Sequence, residues 1–406
     1  MALTPVNKSS LNPLWVILCG GVIMGMALGT RHVQGLFLLP MTSTRGWSRE
    51  AFGFAIAMQN LIWGFAQPIT GMIADRFGSV RVLVGGLLLY GVGLYFMSST
   101  VSVGGFTISA GLLVGIALSA TSFAVVYGAI SRIVVPARRS WALGLAGAVG
   151  GLGQFLIVPG AQALLGSFGW AMALVILAAI AIGLLPLAFA LRDPIEGVPD
   201  GAPALSMSAA IGEALRHRGF WLLNLGFLAC GFQLAFIGSH LPAYLLDQGL
   251  HPRTAVIALS LIALANTGGT FLCGYLGGFY RRKYLLSGIY LVRTLAMALF
   301  VLLPLTELSV YVFSFVMGLI WLGTVPLTTG LVSQVFGVRY LATLFGFVFF
   351  GHQLGAFFGV WLGGYVFDAT QSYDAIWLGA ISLGIVAALL HWPIDDAQVQ
   401  RIPQPV

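Results

Sequence analysis

The stretch Gly71-Met72-Ile73-Ala74-Asp75-Arg76-Phe77-Gly78-Ser79-Val80-Arg81 sits between two long apolar runs, 49–73 and 81–99. Each of those runs is close to the length of about 20 residues that a helix needs to cross a bilayer. The link between them is short and carries two charged side chains, with a third, Arg81, at the start of the next run. A short charged link between two membrane-length runs indicates a chain that crosses a membrane and turns at its surface.

The overall composition points the same way. The chain has 406 residues, of which 59% are hydrophobic and 8% charged, and its mean hydropathy is +0.97. Soluble domains contain about 25% charged residues, so a soluble enzyme is excluded. The net charge of +7 is not gathered into a basic face or tail, which argues against nucleic acid as a partner. The three cysteines lie within apolar runs, so neither a disulfide framework nor a metal site is expected.

Counting outward from the first link gives twelve runs long enough to span a bilayer. The first is not a cleaved signal peptide, because it is too long and contains Arg31 and His32. The predicted spans lie at about 14–40, 49–73, 81–99, 104–132, 141–165, 170–191, 219–246, 253–279, 284–304, 308–336, 341–367 and 373–392.

One longer link divides these spans into two sets of six. Residues 193–217 begin with prolines and acidic residues, which is typical of a linker, and 206–217 could form a short helix on the membrane surface. The sequence therefore predicts an N-terminal six-helix bundle over 1–192, a cytoplasmic linker over 193–217 and a C-terminal six-helix bundle over 218–406.

The distribution of Lys and Arg sets the expected orientation. With the N-terminus in the cytoplasm, only Arg45, Arg49 and Arg253 lie outside, and Arg31 and Arg293 lie within spans. The remaining basic residues lie inside: Lys8, Arg76, Arg81, Arg132, Arg138, Arg139, Arg192, Arg216, Arg218, Arg281, Arg282, Lys283, Arg339 and Arg401. We therefore expect a multi-pass protein of the inner (plasma) membrane with both termini in the cytoplasm.

The two sets of spans share landmarks that indicate a duplication. Trp15 and Gly25 recur as Trp221 and Gly231, and Gly71 recurs as Gly274. A third group, Arg138, Gly144 and Gly153, recurs as Arg339, Gly346 and Gly355. Repeats of this kind place a binding site near the bilayer midplane, between the halves.

Glycines at helical spacing predict where helices pack closely. Small-residue stripes of this kind occur on spans 1, 5 and 11, at Gly21, Gly25 and Gly29, at Gly147 and Gly151, and at Gly351, Gly355, Gly359 and Gly363.

The Gly71–Arg81 stretch, by its residues and its position after span 2, resembles the loop signature of the major facilitator superfamily. The resemblance implies an all-α integral membrane fold of twelve transmembrane helices in two six-helix repeats. It also implies that the loop acts as a cytoplasmic latch, formed here by Gly71, Asp75, Arg76, Gly78 and Arg81. Physically, Asp75 could pair with a basic residue or a helix N-terminus across the interface in one state only. The alternative is an ordinary solvated loop charge.

Within that superfamily the chain resembles the bacterial monocarboxylate and oxalate–formate porter branch. The resemblance is carried by Thr30-Arg31-His32-Val33-Gln34-Gly35, by Gly238-Ser239-His240-Leu241-Pro242-Ala243-Tyr244 and by Gly351-His352-Gln353-Leu354-Gly355. Oxalate porters carry an arginine in span 8 and a lysine in span 11, where this chain has Asn266 and His352.

Arg31 is the leading candidate to bind a substrate. It lies nine residues, about 14 Å, from the outer end of span 1, and no Asp or Glu lies deep within any span. A buried cation without a protein anion suggests that the ligand is the anion, and a guanidinium can donate two parallel hydrogen bonds to a carboxylate. The alternative is an arginine satisfied by helix-end carbonyls. Arg293 lies in span 9, which is peripheral in the superfamily, so we expect a structural or gating role for it.

Three membrane-embedded histidines, His32, His240 and His352, are candidates to carry a proton, because histidine titrates near neutral pH. Each could instead bond a neighbouring helix. Helical spacing sets His240 on one face of span 7 with Gln233, Phe236 and Tyr244. The other predicted substrate contacts are Gln34, Tyr127, Gln154, Asn266, Trp321 and Gln353.

Several function classes are excluded by motifs that the sequence lacks. A phosphate-binding Gly-Lys-Ser/Thr loop is missing, which excludes ATP-driven transport by this chain, and neither a metalloprotease motif nor a nucleophile elbow is present. The sequence predicts a secondary active transporter, not an enzyme, with no cofactor or metal. We expect a monomer that carries a small organic anion of the monocarboxylate class by proton symport with alternating access. Anion exchange is the alternative, and drug efflux a more distant one.

Overall fold

The computed structural model describes residues 12–47, 49–192 and 206–399, and within these ranges the regular structure is entirely helical. Ten stretches are long and apolar enough to cross a membrane. One of them, Pro136–Leu191, has 56 residues and contains two crossings that meet at Gly169. The helix Arg49–Phe77, with 29 residues, is a further crossing of lower hydropathy. Together these give the twelve expected transmembrane helices.

The observed spans match the predicted runs in order and position. Their bounds, from span 1 to span 12, are Pro13–His32 continued by Gln34–Arg45; Arg49–Phe77; Ser79–Ser99; Val103–Phe106, Thr107–Leu113, Val114–Thr121 and Phe123–Ile133; 139–168; 170–183 continued by Leu185–Ala188 and Phe189–Leu191; Arg218–Asp247; Pro252–Leu276; Arg282–Leu302; Glu307–Leu319 continued by Thr324–Phe336; Leu341–Thr370; and Asp374–His391. Pro136–Arg138 forms a short 3-10 turn before span 5.

Four spans are interrupted where the sequence predicts continuous helices. Span 1 breaks at Val33, span 4 at Ser122, whose backbone is extended, span 6 at Leu184, and span 10 between Leu319 and Thr324. Spans 5 and 6 meet at Gly169, whose φ of 75° favours glycine. The first part of the predicted linker, 193–205, lies outside the described residues, and a helix follows at Met207–Arg216, capped by Ser206.

The glycine stripes on spans 1 and 11 pack helices together within each half, whereas the stripe on span 5 faces span 8 of the other half. A Cβ added at Gly25 of span 1 would lie 3.0 Å from the Cα of Gly153 in span 5. The stripe on span 11 lies in the same way against span 7, where Gly359 faces the backbone of Phe232. In a membrane, small residues let helix backbones approach where lipid supplies no hydrophobic drive.

Two further helix pairs join the halves. Span 2 packs against span 11, and span 5 packs against span 8. The links after spans 2, 4, 8 and 10 meet at one end of the bundle, which we call the basic end because most of the arginines described here lie there. At this end the halves touch: a Cβ at Gly71 would lie 2.6 Å from the Ala342 carbonyl carbon, and one at Gly144 would lie 2.8 Å from the Gly274 Cα.

The opposite end is less closely packed. Gly53 in span 2 and Gly160 in span 5 have no atom within 4 Å of an added Cβ, and in the described part of the chain spans 1 and 7 make little contact. By these contacts the halves meet at the basic end and separate at the other, which we call the open end.

Candidate functional site

Asp75 joins the two halves at the basic end. Its carboxylate accepts hydrogen bonds from the backbone N–H and the hydroxyl of Thr343, both at 2.7 Å, at the N-terminus of span 11. Its other oxygen pairs with Arg132 of span 4 at 2.6 Å. The carboxylate is fully buried, and a helix N-terminus favours negative charge. Asp75 thus contacts a helix N-terminus across the halves and a basic residue within its own half.

The rest of the Gly71–Arg81 loop shapes this contact. Gly71 permits the close approach of spans 2 and 11, and Gly78 has a φ of 92°, which a residue with a side chain rarely adopts. Arg81 donates to the carbonyl of Phe77 at 3.2 Å, while the Arg76 guanidinium lies over the Phe77 ring, 5.3 Å from its centroid. These two arginines act within the loop, so the contacts across the halves come from Asp75 and Gly71.

A second bridge crosses the halves beside span 9. Arg282 donates from Nε and Nη2 to the Ser140 hydroxyl of span 5, at 3.2 and 2.6 Å, and also bonds Gln334 of span 10. The neighbouring Arg281 pairs with Asp396, beyond the end of span 12. The hydrogen bond from Arg281 lowers the pKa of the Asp396 carboxyl below its usual value. Across the halves, the second half therefore contributes Arg282 at the basic end, where the first half contributes Asp75.

Arg31 lies next to the open end with few protein partners. Its Nη2 donates to the Oδ1 of Asn60 in span 2, and its guanidinium lies 5.3 Å from the ring centroid of Trp63. Within the described part of the chain its Nε has no partner, and the residue is partly exposed. No carboxylate pairs with it in the structure as described here. The guanidinium therefore keeps donor capacity for an anion.

A layer of buried aromatic rings separates this region from the basic end. Phe349 of span 11 lies 5.0 Å from Trp63 and 6.0 Å from Phe123 of span 4, measured between ring centroids. Phe349 also stacks on the His352 ring at 5.2 Å, and Phe227 of span 7 lies 4.8 Å from that ring. These contacts place Arg31 and His352 beside the same aromatic layer, Arg31 from the first half and His352 from the second.

Several predicted contact residues carry buried polar atoms that lack a hydrogen-bond partner among the described residues. They are both amide atoms of Gln34, the Tyr127 hydroxyl, the Asn266 Nδ2 and the Gln353 Nε2. Unpaired buried polar atoms are costly, and an internal site that binds a ligand is one place where they are expected. Gln353 lies against Gly64 of span 2, and Asn266 lies against Gly151 of span 5, so both face the interface between the halves.

The break in span 10 gathers three other predicted residues. Arg293, fully buried, donates from Nη2 to the carbonyls of Ile320 and Trp321, each at 2.5 Å. Asn266 accepts from the Leu322 N–H at 3.0 Å. A broken helix at membrane depth needs such partners for its freed backbone groups. Arg293 therefore has the structural position that its location in span 9 suggested.

The remaining predicted residues lie further from Arg31. His240 bonds the Val360 carbonyl at 2.9 Å and the Tyr373 hydroxyl at 3.3 Å, so it packs among spans 7, 11 and 12. On the same face, Gln233 donates to the Ala380 carbonyl of span 12 at 2.9 Å. Gln154 is buried in the seam between spans 5 and 1, beside Gly29. The structure thus groups Arg31 with the aromatic layer and His352, and leaves His240 outside that group.

Sequence reasoning missed four residues with prominent contacts: Asn60 and Trp63 beside Arg31, and Arg132 and Thr343 around Asp75. Arg132 carries a weak signal, since it ends an otherwise apolar run. Asn60, Trp63 and Thr343 owe their importance to partners on other spans, and nothing in their local sequence marks them.

The fold and this interface define a two-half membrane carrier, and the comparisons with known proteins agree. The Major Facilitator Superfamily matches residues 17–360, so the chain belongs to that family. Its members are transporters and not enzymes.

Relatives in this family include carriers with named substrates. Human "Monocarboxylate transporter 11" is 27% identical over 387 residues, covering 93% of this chain and 82% of that protein. The "Oxalate:formate antiporter" of Oxalobacter formigenes is 23% identical over 392 residues, covering 95% and 91%. YcxA of Bacillus subtilis, described as an uncharacterized MFS-type transporter, is 24% identical and covers 96% and 98%.

Solved structures share the fold. FucP "in the outward conformation" superposes with a TM-score of 0.72 at 14% identity, covering 93% of this chain and 97% of that one. The proton:xylose symporter XylE superposes with a TM-score of 0.68 at 16% identity, covering 95% and 96%. At these identities the likeness concerns the fold alone.

Proposed function

We propose that this chain transports a small monocarboxylate across the inner membrane by proton symport, and that Arg31 binds the carboxylate. The observation that carries the proposal is the Arg31 guanidinium, which lies beside the open end of the bundle, retains an unpartnered Nε and has no carboxylate among its described partners. Relatives that are monocarboxylate transporters support the substrate class.

The surroundings of Arg31 suit a small anion with a short apolar tail. Asn60 and Trp63 hold the guanidinium from one side, by a hydrogen bond and a cation–π contact, without neutralising its charge. A carboxylate can add two parallel hydrogen bonds, and an apolar tail can lie on the Trp63 and Phe349 rings. Gln34, Tyr127, Asn266, Gln353 and His352 are the further polar groups that we place along the path of the substrate.

Alternating access follows from the two halves, 1–192 and 218–406, which we propose rock about the aromatic layer while 193–217 links them. In the observed arrangement the basic end is closed by Asp75 with Thr343 and by Arg282 with Ser140. We take the basic end as cytoplasmic, because positive residues favour that side. The observed state then faces outward, and release of both bridges opens the site inward in a carrier that works as a monomer.

Anion exchange is the second candidate. It is favoured by the antiporter among the relatives and by the uncompensated Arg31, which an anion could occupy in both directions of travel. Exchange and symport differ in whether the empty carrier can return: it does so in symport and does not in exchange. Transport into vesicles without internal anion therefore separates them.

The test is uptake of labelled lactate, pyruvate and formate into proteoliposomes, with and without an inward proton gradient. We expect gradient-driven uptake by the wild type and a loss of about tenfold or more in Arg31→Gln, because hydrogen bonds to a charged group contribute about 1.5–3 kcal/mol. Arg31→Lys keeps the charge but loses the bidentate fork, and should retain part of the activity.

Arg253→Gln is the matched control, since this arginine lies at the start of span 8, at the open end, and is exposed. It should transport like the wild type. Uptake that requires preloaded anion would establish exchange instead, and wild-type rates in Arg31→Gln would contradict the role of Arg31.

A further inference from the structure

The sulfur of Cys230 lies in an unusual cluster within the second half. Cys230 is fully buried, twelve residues into span 7 from Arg218, or about 18 Å along the helix axis. Its Sγ is 3.1 Å from the Nη1 of Arg293 in span 9 and 3.4 Å from the hydroxyl of Thr324 in span 10. Two different spans therefore present polar groups to one sulfur atom.

Two titratable groups complete the cluster. The His352 ring of span 11 lies 4.8 Å from the ring of Phe227, one helical turn before Cys230, and the Tyr290 ring of span 9 lies 5.7 Å from the Arg293 guanidinium. The Tyr290 hydroxyl is fully buried and has no hydrogen-bond partner among the described residues. Beyond these groups, Cys273 of span 8 lies against Gly323 at the break in span 10, and His391 of span 12 stacks on Tyr290 at 4.9 Å.

The charge of Arg293 needs a counter-ion. Its guanidinium is fully buried, it can only donate, and its Nη2 is already used by two neutral backbone carbonyls. Among the described residues its remaining polar contact is the Cys230 sulfur, and no carboxylate pairs with it. A buried cation without an anion is costly, and a neighbouring guanidinium favours the thiolate form of a cysteine.

We propose that Cys230 is a thiolate paired with Arg293 and is the proton acceptor of the transport cycle, with His352 passing the proton to it from the substrate cavity. The proposal rests on the proposed function and names the group that carries its proton. His352 is partly exposed and lies at the aromatic layer, whereas Cys230 is enclosed, so the imidazole is the route between cavity and sulfur.

The proton balance is simple. A proton from the cavity binds the His352 ring nitrogen, moves to the Cys230 thiolate and leaves a neutral imidazole and a neutral thiol. The cluster then carries the single positive charge of Arg293, where before it was neutral. Because charges interact strongly in a buried site, this unbalanced charge attracts the anion into the cavity. Proton and carboxylate therefore load together, and the loaded carrier is electrically the same as the empty one.

The test uses Cys230→Ser, with Cys19→Ser as the matched control on span 1. Serine fits the site but does not ionise, so it mimics the protonated thiol permanently. We expect Cys230→Ser to lose gradient-driven accumulation while exchanging labelled for unlabelled anion at a rate within about threefold of wild type. The retained exchange shows that the variant is folded. Cys19→Ser should show both gradient-driven accumulation and exchange.

Cys230→Asp returns an ionisable acid to the site. A carboxyl titrates about four to five pH units below a thiol in isolation, so we expect accumulation to return with its pH profile displaced to acid. A variant that merely damaged the packing would not be rescued in this way. Accumulation by Cys230→Ser equal to wild type would overturn the proposal.

A spectroscopic measurement tests the thiolate independently of transport. A thiol has an infrared S–H stretching band and a thiolate has none. We expect Cys19→Ser to remove intensity from this band in the purified protein, and Cys230→Ser to leave it unchanged. Loss of intensity in Cys230→Ser would show a thiol and overturn the assignment. If the band behaves as expected but the wild type shows exchange only, the proton-symport function fails while the ion pair stands.

Discussion

Asp75 is a single residue whose partners come from both halves. Its removal should therefore shift the equilibrium between the closed and open arrangements of the basic end. Asp75→Asn leaves Arg132 buried without its counter-ion and weakens the contact with the N-terminus of span 11. Arg132 lies in the same half as Asp75, so only the Thr343 contact is specific to the closed state. A hydrogen bond to a charged group contributes about 1.5–3 kcal/mol. We therefore expect a smaller fraction of the molecules to have the basic end closed.

Spin labels attached at positions 135 and 279, which are exposed at the basic end on opposite halves, report this change. We expect a narrow distance distribution in the wild type and a shift to longer distances in Asp75→Asn. Asp374→Asn, at the start of span 12 and exposed, is the control and should match the wild type. An unchanged distribution in Asp75→Asn would refute the latch.

Asp396 gives a pH-dependent prediction at the same scale. Its hydrogen bond from Arg281 lowers the pKa of the folded carboxyl, so the stabilisation is present above the ordinary pKa of Asp and is lost as pH falls through the lower folded value. Asp396→Asn should unfold about 1–2 °C below the wild type at neutral pH. The difference should shrink as the pH falls below about 4, the ordinary pKa of Asp.

Asp395→Asn is the matched control, since Asp395 is exposed and accepts a hydrogen bond from the nearby backbone N–H of Ala397, at 3.1 Å. Thermal unfolding in detergent across this pH range measures both variants. A deficit in Asp396→Asn that stays constant down to pH 3 would contradict the ion-pair account.

At the scale of helices, the two ends of span 5 differ in a way that can be tested. Gly144, at the basic end, has no room for a Cβ against Gly274, whereas Gly160, near the open end, has no atom within 4 Å. Alanine is favoured over glycine in helices by about 1 kcal/mol. Whether a Gly→Ala change stabilises or disrupts the observed packing therefore depends on whether the added methyl group meets a neighbouring atom. We expect Gly144→Ala to lengthen the distance between labels at 135 and 279, and Gly160→Ala to leave it unchanged. Equal effects would contradict the asymmetric closure.

The helices themselves could be predicted from the sequence, but their interruptions could not. Length and hydropathy located all twelve spans and the turn near Gly169, because these are local properties. The break in span 10 depends on Arg293 and Asn266, which lie 27 and 56 positions away from the backbone groups they satisfy. Local hydropathy does not indicate contacts with residues on other spans.

At the scale of the whole molecule, the duplication could be predicted because corresponding glycines occupy equivalent positions in the two halves. Gly71 lies against span 11 and Gly274 against span 5, each joining its half to the other. Which end is closed could not be read, since it depends on how the halves meet. For the same reason the sequence suggested Arg31 and His352 but not Asn60, Trp63 or Cys230, whose roles come from neighbouring spans.

The central claim is that a proton and a carboxylate cross together. The most direct measurement adds a monocarboxylate to proteoliposomes without an imposed gradient or internal anion, and follows the anion and the internal pH at the same time. We predict that anion entry acidifies the interior with one proton per anion, and that Arg31→Gln abolishes both signals. Anion entry without acidification, or no entry until the vesicles are preloaded with anion, would contradict the account.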